Sequence, residues 1–158
     1  MAAWFAPVFK LIGPLSKEAA RGLAQYVATH PEARDAVLTR VKAAGRSVDA
    51  LRQARTPAAR IGAKLAIVER FASAQVGDPI DPGAVAMANQ WLQRSQQIRD
   101  ALALAETQSG EAKSRILDRL AGRTDALAAE AIESLIPEEA PGDVELDTPK
   151  SDDDGGEQ

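Results

Sequence analysis

The type of apolar residue is the feature that most limits what this chain can fold into. Alanine accounts for 32 of the 158 residues and aromatic residues for only 4%, which leaves about a quarter of the chain as larger apolar side chains. That supply is enough for one modest core. The chain has no alternating β-branched run and no Asn-Gly or Asp-Gly hairpin turn between apolar runs, which are the signals of strands and hairpins. We therefore predict an all-α fold, a helical bundle of about five helices.

The residues that are missing exclude several classes of site. There is no cysteine, which excludes disulfides, cysteine-ligated metals and thiol nucleophiles. His30 is the single histidine, and beside a proline at a helix junction we expect it to be exposed or to cap a helix. Asp78 and Asp81 lie in a loop that lacks the ligand spacing of a calcium site. No nucleotide-binding or nucleophile motif occurs, so we predict a non-enzymatic protein without a cofactor or metal.

Capping signals divide the first half of the chain into helices. Ser16 is a good N-cap for a helix that ends near Thr29. The next helix begins either with a capping box from Thr29 to Glu32 or with Pro31 at its first position. Apolar residues with three-and-four spacing extend this second helix to about Arg55, and they are Val37, Leu38, Val41, Ala44, Val48 and Leu51.

The third helix is predicted to follow the N-cap Thr56 and to end near Val76. Its apolar stripe comprises Ile61, Leu65, Val68 and Ala72, with Ile67 and Phe71 beside it. A break rich in proline and glycine follows at 77–83, where Asp81 is expected to cap the next helix.

Two long helices are predicted to follow the break, at about 82–107 and about 111–135. The repeat of the fourth helix is Val85, Ala88, Leu92, Ser95, Ile98, Leu102 and Ala105, and that of the fifth is Leu117, Leu120, Thr124, Leu127, Ala131 and Leu135. Gly110 is a candidate turn residue between them. Because a short turn makes long helices antiparallel neighbours, we predict a helical hairpin at 82–135 that resembles an antiparallel coiled coil.

Four glycines lie inside the predicted helices: Gly22, Gly45, Gly62 and Gly122. Each costs about 1 kcal/mol relative to alanine there. With this alanine content we expect the glycines to allow close approach of helices, and the alternative is a hinge or a helix break.

Charge divides the chain into three parts. The net charge is +7 over residues 1–77, −3 over 78–136 and −8 over 137–158. Residues 137–158 have almost no large apolar side chains, so we predict a disordered acidic tail. The predicted organisation is an apolar N-terminal segment at 1–15, a helical domain at 16–136 with basic helices at 16–76, and the tail.

The N-terminal segment holds three of the six aromatic residues. One helical face would collect Trp4, Phe5, Val8, Phe9 and Ile12, and Lys10 lies within the same segment. Three interpretations remain open. The segment covers an apolar stripe of the bundle, lies in a membrane interface with its basic residues at anionic headgroups, or docks into a groove on a partner protein.

The stretch 34–70 contains nine basic residues, mostly arginine, which suits phosphate and carboxylate groups. We single out Arg46, Arg52, Arg55 and Arg60 as candidate binding residues. Aromatic residues for stacking and a recognisable nucleic-acid motif are missing, so lipid headgroups or an acidic protein are favoured over nucleic acid. An ordinary solvated surface is the further alternative.

These observations predict a helical adaptor or scaffold protein. It would bind a protein partner or an anionic membrane surface through the N-terminal segment and the basic first half. The alternative is a nucleic-acid-binding regulator that uses the basic helices at 31–76. We expect a bacterial protein of the cytoplasm or of the inner face of the membrane, and the hairpin at 82–135 would supply a second surface or a homo-oligomer interface.

Overall fold

The computed structural model describes Gly13 and residues 15–43, 45–77 and 82–136, and six α-helices lie within these ranges. They are α1 (Lys17–Thr29), α2 (Arg34–Ala43), α3 (Gly45–Gln53), α4 (Pro57–Val76), α5 (Pro82–Glu106) and α6 (Gly110–Glu133), with a 3₁₀ turn at Pro31–Ala33 between α1 and α2. No strand occurs in the described ranges. The predicted all-α class is therefore confirmed.

Two predicted N-caps make the expected hydrogen bonds. The hydroxyl of Ser16 accepts a hydrogen bond from the backbone N–H of Ala19 at 3.3 Å, and α1 begins one residue after the cap. The hydroxyl of Thr56 accepts one from the N–H of Ala59 at 3.1 Å, at the start of α4. Each bond satisfies one of the N–H groups that have no partner within the helix.

The junction after α1 follows one of the two predicted alternatives. Pro31 is the first residue of the 3₁₀ turn, as the second alternative predicted. The capping box from Thr29 is wrong, because Thr29 is the last residue of α1 and its hydroxyl donates back to the carbonyl of Tyr26 at 2.9 Å.

The second predicted helix is two helices. The first residues predicted for this helix, Pro31–Ala33, form the 3₁₀ turn. Helices α2 and α3 lie on either side of residue 44, which is outside the described residues. Gly45 is the first residue of α3. Because glycine is costly in a helix interior, this is a favourable place for a long helix to be interrupted. Four apolar residues on the two helices are buried as predicted: Val37, Val41, Val48 and Leu51.

Helices α4, α5 and α6 pack against one another and form the centre of the core. The whole predicted stripe of α4 and its two flanking residues are buried. Five residues of the predicted repeat are buried on α6, and the sixth, Leu135, is buried two residues after the helix ends. On α5 the buried set is Ala88, Trp91, Ser95, Ile98 and Ala105, and Leu92 and Leu102 are partly buried beside it.

The remaining helices pack around this centre. Helix α3 contacts α4, and α1 contacts α6. Leu15, just before α1, is also buried. No helix in the described part of the chain is long and apolar enough to cross a lipid bilayer.

Helices α5 and α6 contact each other, and the short connection at 107–109 leads to Gly110, whose φ of 63° only glycine adopts readily. Trp91, in the first half of α5, reaches Glu130 near the end of α6, as in two helices that run in opposite directions. Both helices also pack on α4, so they belong to a three-helix unit.

Two of the glycines inside helices, Gly62 and Gly122, do not mark close helix contacts. A Cβ atom at Gly62 or Gly122 would meet nothing within 4 Å, and one at Gly22 would lie 4.0 Å from the side chain of Ile136. The prediction of close approach is therefore wrong at Gly62 and Gly122. At Gly45 the alternative of a helix break describes the structure better.

Candidate functional site

Residues 1–12 and 14 of the apolar N-terminal segment lie outside the described residues. This applies to six predicted binding residues: Trp4, Phe5, Val8, Phe9, Lys10 and Ile12. Asp78, Asp81 and the acidic tail at 137–158 are also outside them. The structure therefore bears directly on the basic helices, and the N-terminal segment stays a prediction.

The basic residues of the first half lie on the outside of α2, α3 and the start of α4. The apolar side chains of these helices are buried, and the exposed basic residues are Arg34, Arg40, Lys42, Arg52, Arg55 and Arg60. The side chain of Arg46 is not among those described. Seven basic and three acidic residues lie between positions 31 and 60, so this surface, which we call the basic surface, has a positive net charge.

Three of the predicted residues, Arg52, Arg55 and Arg60, lie at or near the connection between α3 and α4. Arg52, near the end of α3, lies 3.7 Å from the carboxylate of Asp49. Arg55 is exposed in the connection itself. Arg60, in the first turn of α4, donates from Nε to the backbone carbonyl of Ala54 at 3.3 Å. The structure therefore brings Arg52, Arg55 and Arg60 to one end of the basic surface.

Several cations of the basic surface form no ion pair within the described part of the chain. Arg34, Arg40, Lys42 and Arg55 form no ion pair with any described residue. Their charge is available to a ligand, because no carboxylate of the described fold neutralises them at close range.

The charges between α4, α5 and α6 are arranged differently. One ion pair joins each two of these helices. Lys64 of α4 pairs with Asp125 of α6, Glu69 of α4 with Arg99 of α5, and Arg94 of α5 with Glu130 of α6. Arg99 binds both carboxylate oxygens of Glu69, at 2.7 and 2.9 Å. The hydrogen bond to Glu69 raises the pKa of Arg99 and outweighs the opposing effect of burial.

Glu130 is the centre of a polar cluster at the α5–α6 contact. Its Oε1 accepts a hydrogen bond from the indole N–H of Trp91 at 3.0 Å, and its Oε2 accepts one from Arg94 at 2.7 Å. Burial raises the pKa of Glu130, but the two hydrogen bonds and the positive charge of Arg94 together lower it by more, so its pKa lies below 4.5. The ring of Trp91 is fully buried.

Trp91 is a core residue that the predicted repeat of α5 did not include, although the sequence held a signal for it. The predicted repeat of α5 passed through Leu92, whereas the fully buried positions are 88, 91, 95 and 105. Spacing of three and four from Ala88 to Ser95 fits Trp91 as well as Leu92. Its partner Glu130 on α6 had no such signal, because a hydrogen bond between residues 39 positions apart leaves no local pattern.

His30 lies at the junction that follows α1. The backbone N–H of His30 donates to the carbonyl of Tyr26 and caps α1. The rings of His30 and Tyr26 are stacked, with centroids 4.3 Å apart. No group of three or more His, Asp or Glu residues is close enough to hold a metal ion in the described part of the chain.

A scan of protein-family models, a search of curated proteins and a search of solved structures each found no match to this chain.

Proposed function

We propose that the chain is a non-enzymatic helical adaptor that uses the basic surface and the apolar N-terminal segment together to bind an anionic membrane surface or an acidic protein. One observation carries this proposal. Arg34, Arg40, Lys42 and Arg55 are exposed and form no ion pair with a described residue. By contrast, Lys64, Arg94 and Arg99 are each paired with a carboxylate on a neighbouring helix.

Arginine suits such a role because its planar guanidinium binds carboxylates and phosphates through two hydrogen bonds. A basic surface beside aromatic residues is typical of binding at an anionic membrane, where rings enter the interface and cations contact headgroups. On this proposal the protein works at the inner face of the membrane.

The first experiment measures sedimentation of the full chain with vesicles of phosphatidylcholine alone or mixed with phosphatidylglycerol. The variant Arg40→Gln with Arg55→Gln removes two cations from the basic surface. The control Arg115→Gln with Arg119→Gln removes the same charge from α6. Each cation near an anionic surface contributes about 1 kcal/mol, so the first variant should bind the anionic vesicles about 30-fold more weakly. Equal losses in both variants would show that only net charge matters, and would contradict the proposal.

The second experiment tests the N-terminal segment by tryptophan fluorescence with an aqueous quencher. Trp91 is not substituted in either chain. Because it is fully buried and hydrogen-bonded to Glu130, it gives a constant fluorescence that is protected from the quencher. The emission of Trp4 is then the difference between the unchanged chain and Trp4→Phe. We expect this difference to shift to shorter wavelength and become protected only when anionic vesicles are added.

The variant Trp4→Ala with Phe5→Ala should weaken vesicle binding and leave helicity nearly unchanged. A difference spectrum that is already protected without vesicles, together with a melting temperature lowered by many degrees in this variant, would place the rings in the core. The membrane proposal would then be wrong, and a protein partner would be sought through the basic surface alone.

Nucleic acid is the second candidate ligand, because the same unpaired guanidiniums suit phosphates of any origin. Titration of labelled duplex DNA at several salt concentrations separates the two. A steep logarithmic dependence on salt that becomes less steep in Arg40→Gln with Arg55→Gln, without binding to vesicles, would favour this candidate.

A further inference from the structure

A cleft between α5 and α6 lies apart from the basic surface. It has a volume of about 200 Å³ and is lined by Arg94, Gln97, Ile98, Arg123 and Ala126. Two side chains are cationic, one offers an amide, and two are apolar. This set suits a ligand that combines carboxylates with an aliphatic group.

The cations of the cleft keep donors for such a ligand. Arg123 is exposed and forms no ion pair with a described residue. Arg94 uses Nη1 to bind Glu130, and a guanidinium has further N–H donors. Arg119, one turn before Arg123 on α6, is exposed and adds a further positive charge near this part of the helix.

One segment of this chain has the matching chemistry. In the acidic tail the run Asp143, Val144, Glu145, Leu146 and Asp147 alternates carboxylates with aliphatic side chains. Its carboxylates suit the guanidiniums of Arg94 and Arg123, and its two aliphatic side chains suit Ile98 and Ala126.

The segment is also within reach. Ala126 precedes Ile136 by ten residues, which is about 15 Å along a helix. Val144 follows Ile136 by eight residues, and eight extended residues span at most about 28 Å. Glu130, which contacts Arg94, lies even closer to the point where the tail leaves α6.

We propose that residues 143–147 of the acidic tail bind in the cleft formed by Arg94, Gln97, Ile98, Arg123 and Ala126. The tail then covers a surface of α5 and α6 and leaves the basic surface open. This contact is independent of the proposed adaptor function, since it involves none of the residues of the basic surface.

The test places a single spin label on the full chain. Because the chain has no cysteine, Ser151→Cys provides one labelling site just beyond the proposed segment. The measurement is the broadening of backbone amide resonances by the label relative to the chemically reduced label. We expect strong broadening at Gln97 and Ala126 and weak broadening at Arg40 and Val48.

Three further variants decide the outcome. Arg123→Gln changes the cleft, and Leu146→Ser changes the tail alone and so leaves the helical core unaltered. Both should abolish the selective broadening, whereas Arg115→Gln, which removes the same charge elsewhere on α6, should retain it. The proposal is overturned if broadening is uniform or absent, if it concentrates on α2 and α3, or if it persists in both Arg123→Gln and Leu146→Ser.

Discussion

At the scale of single residues, glycines within helices have different roles. Gly62 and Gly122 have open space where a Cβ would lie, so they supply neither close contact nor an unusual conformation. Gly110 has a positive φ that side chains other than glycine adopt at a cost.

We therefore expect Gly62→Ala and Gly122→Ala each to raise the free energy of unfolding by about 0.5–1 kcal/mol, because alanine has the better helix propensity. Gly110→Ala should lower it by about 1–2 kcal/mol. Urea unfolding followed by circular dichroism measures all three. Destabilisation by Gly62→Ala would show that this glycine has a contact that the structure does not contain.

Glu130 makes stability depend on pH. Its folded-state pKa lies below the value of 4.5 expected for an unpaired glutamate, so its ionised form stabilises the fold. The contribution is fully present above about pH 4.5 and is lost as the pH falls through the folded-state pKa.

The variant Glu130→Gln should therefore lose less stability than the unchanged chain between about pH 7 and about pH 3. Urea unfolding at a series of pH values measures the difference. The control Glu111→Gln removes a carboxylate that is 80% exposed in an ion pair within α6. If the control changes the pH dependence as much as Glu130→Gln, the cluster with Trp91 and Arg94 is not responsible.

At the scale of helices, three ion pairs connect α4, α5 and α6 across their contacts. Glu69 and Arg99 form the pair with two hydrogen bonds, and each side chain is about two-thirds buried. Glu111 and Arg115 form a pair within one helix and are largely exposed. Geometry and exposure both favour the pair between helices.

A double-mutant cycle should give a coupling energy near the upper end of the range for such pairs, about 1 kcal/mol, for Glu69 and Arg99. The pair Glu111 and Arg115 should give about 0.3–0.5 kcal/mol. Alanine substitutions and urea unfolding at low and high salt measure both. A larger coupling within α6 than between α4 and α5 would contradict this ranking.

Local sequence patterns predicted most helix boundaries. The features that they did not predict depend on contacts between residues far apart in the sequence. Ser16 and Thr56 mark helix starts through bonds to residues three positions away, so their effect is visible in the sequence. The interruption near Gly45 was visible only as a costly residue in a regular repeat. The ion pairs between helices and the cleft join residues about 30 to 60 positions apart, which no local spacing encodes.

At the scale of the whole molecule, the six described helices already bury an extensive apolar core among themselves. We therefore expect the fold to be stable without the acidic tail. Deletion of residues 137–158 should preserve the far-ultraviolet circular dichroism of the helices and change the melting temperature by less than about 2 °C. A large loss of helical signal would show that the tail belongs to the fold and would contradict its predicted disorder.

The packing of α1 on α6 has a consequence during protein synthesis. Gly22 lies against Ile136, 114 positions later in the chain. At about 5–20 residues per second a ribosome needs roughly 6–20 s to add those residues. Throughout that interval the apolar face of α1, which includes Leu23 and Val27, has no α6 to cover it. We expect the nascent chain to present this face to chaperones until the last helix emerges.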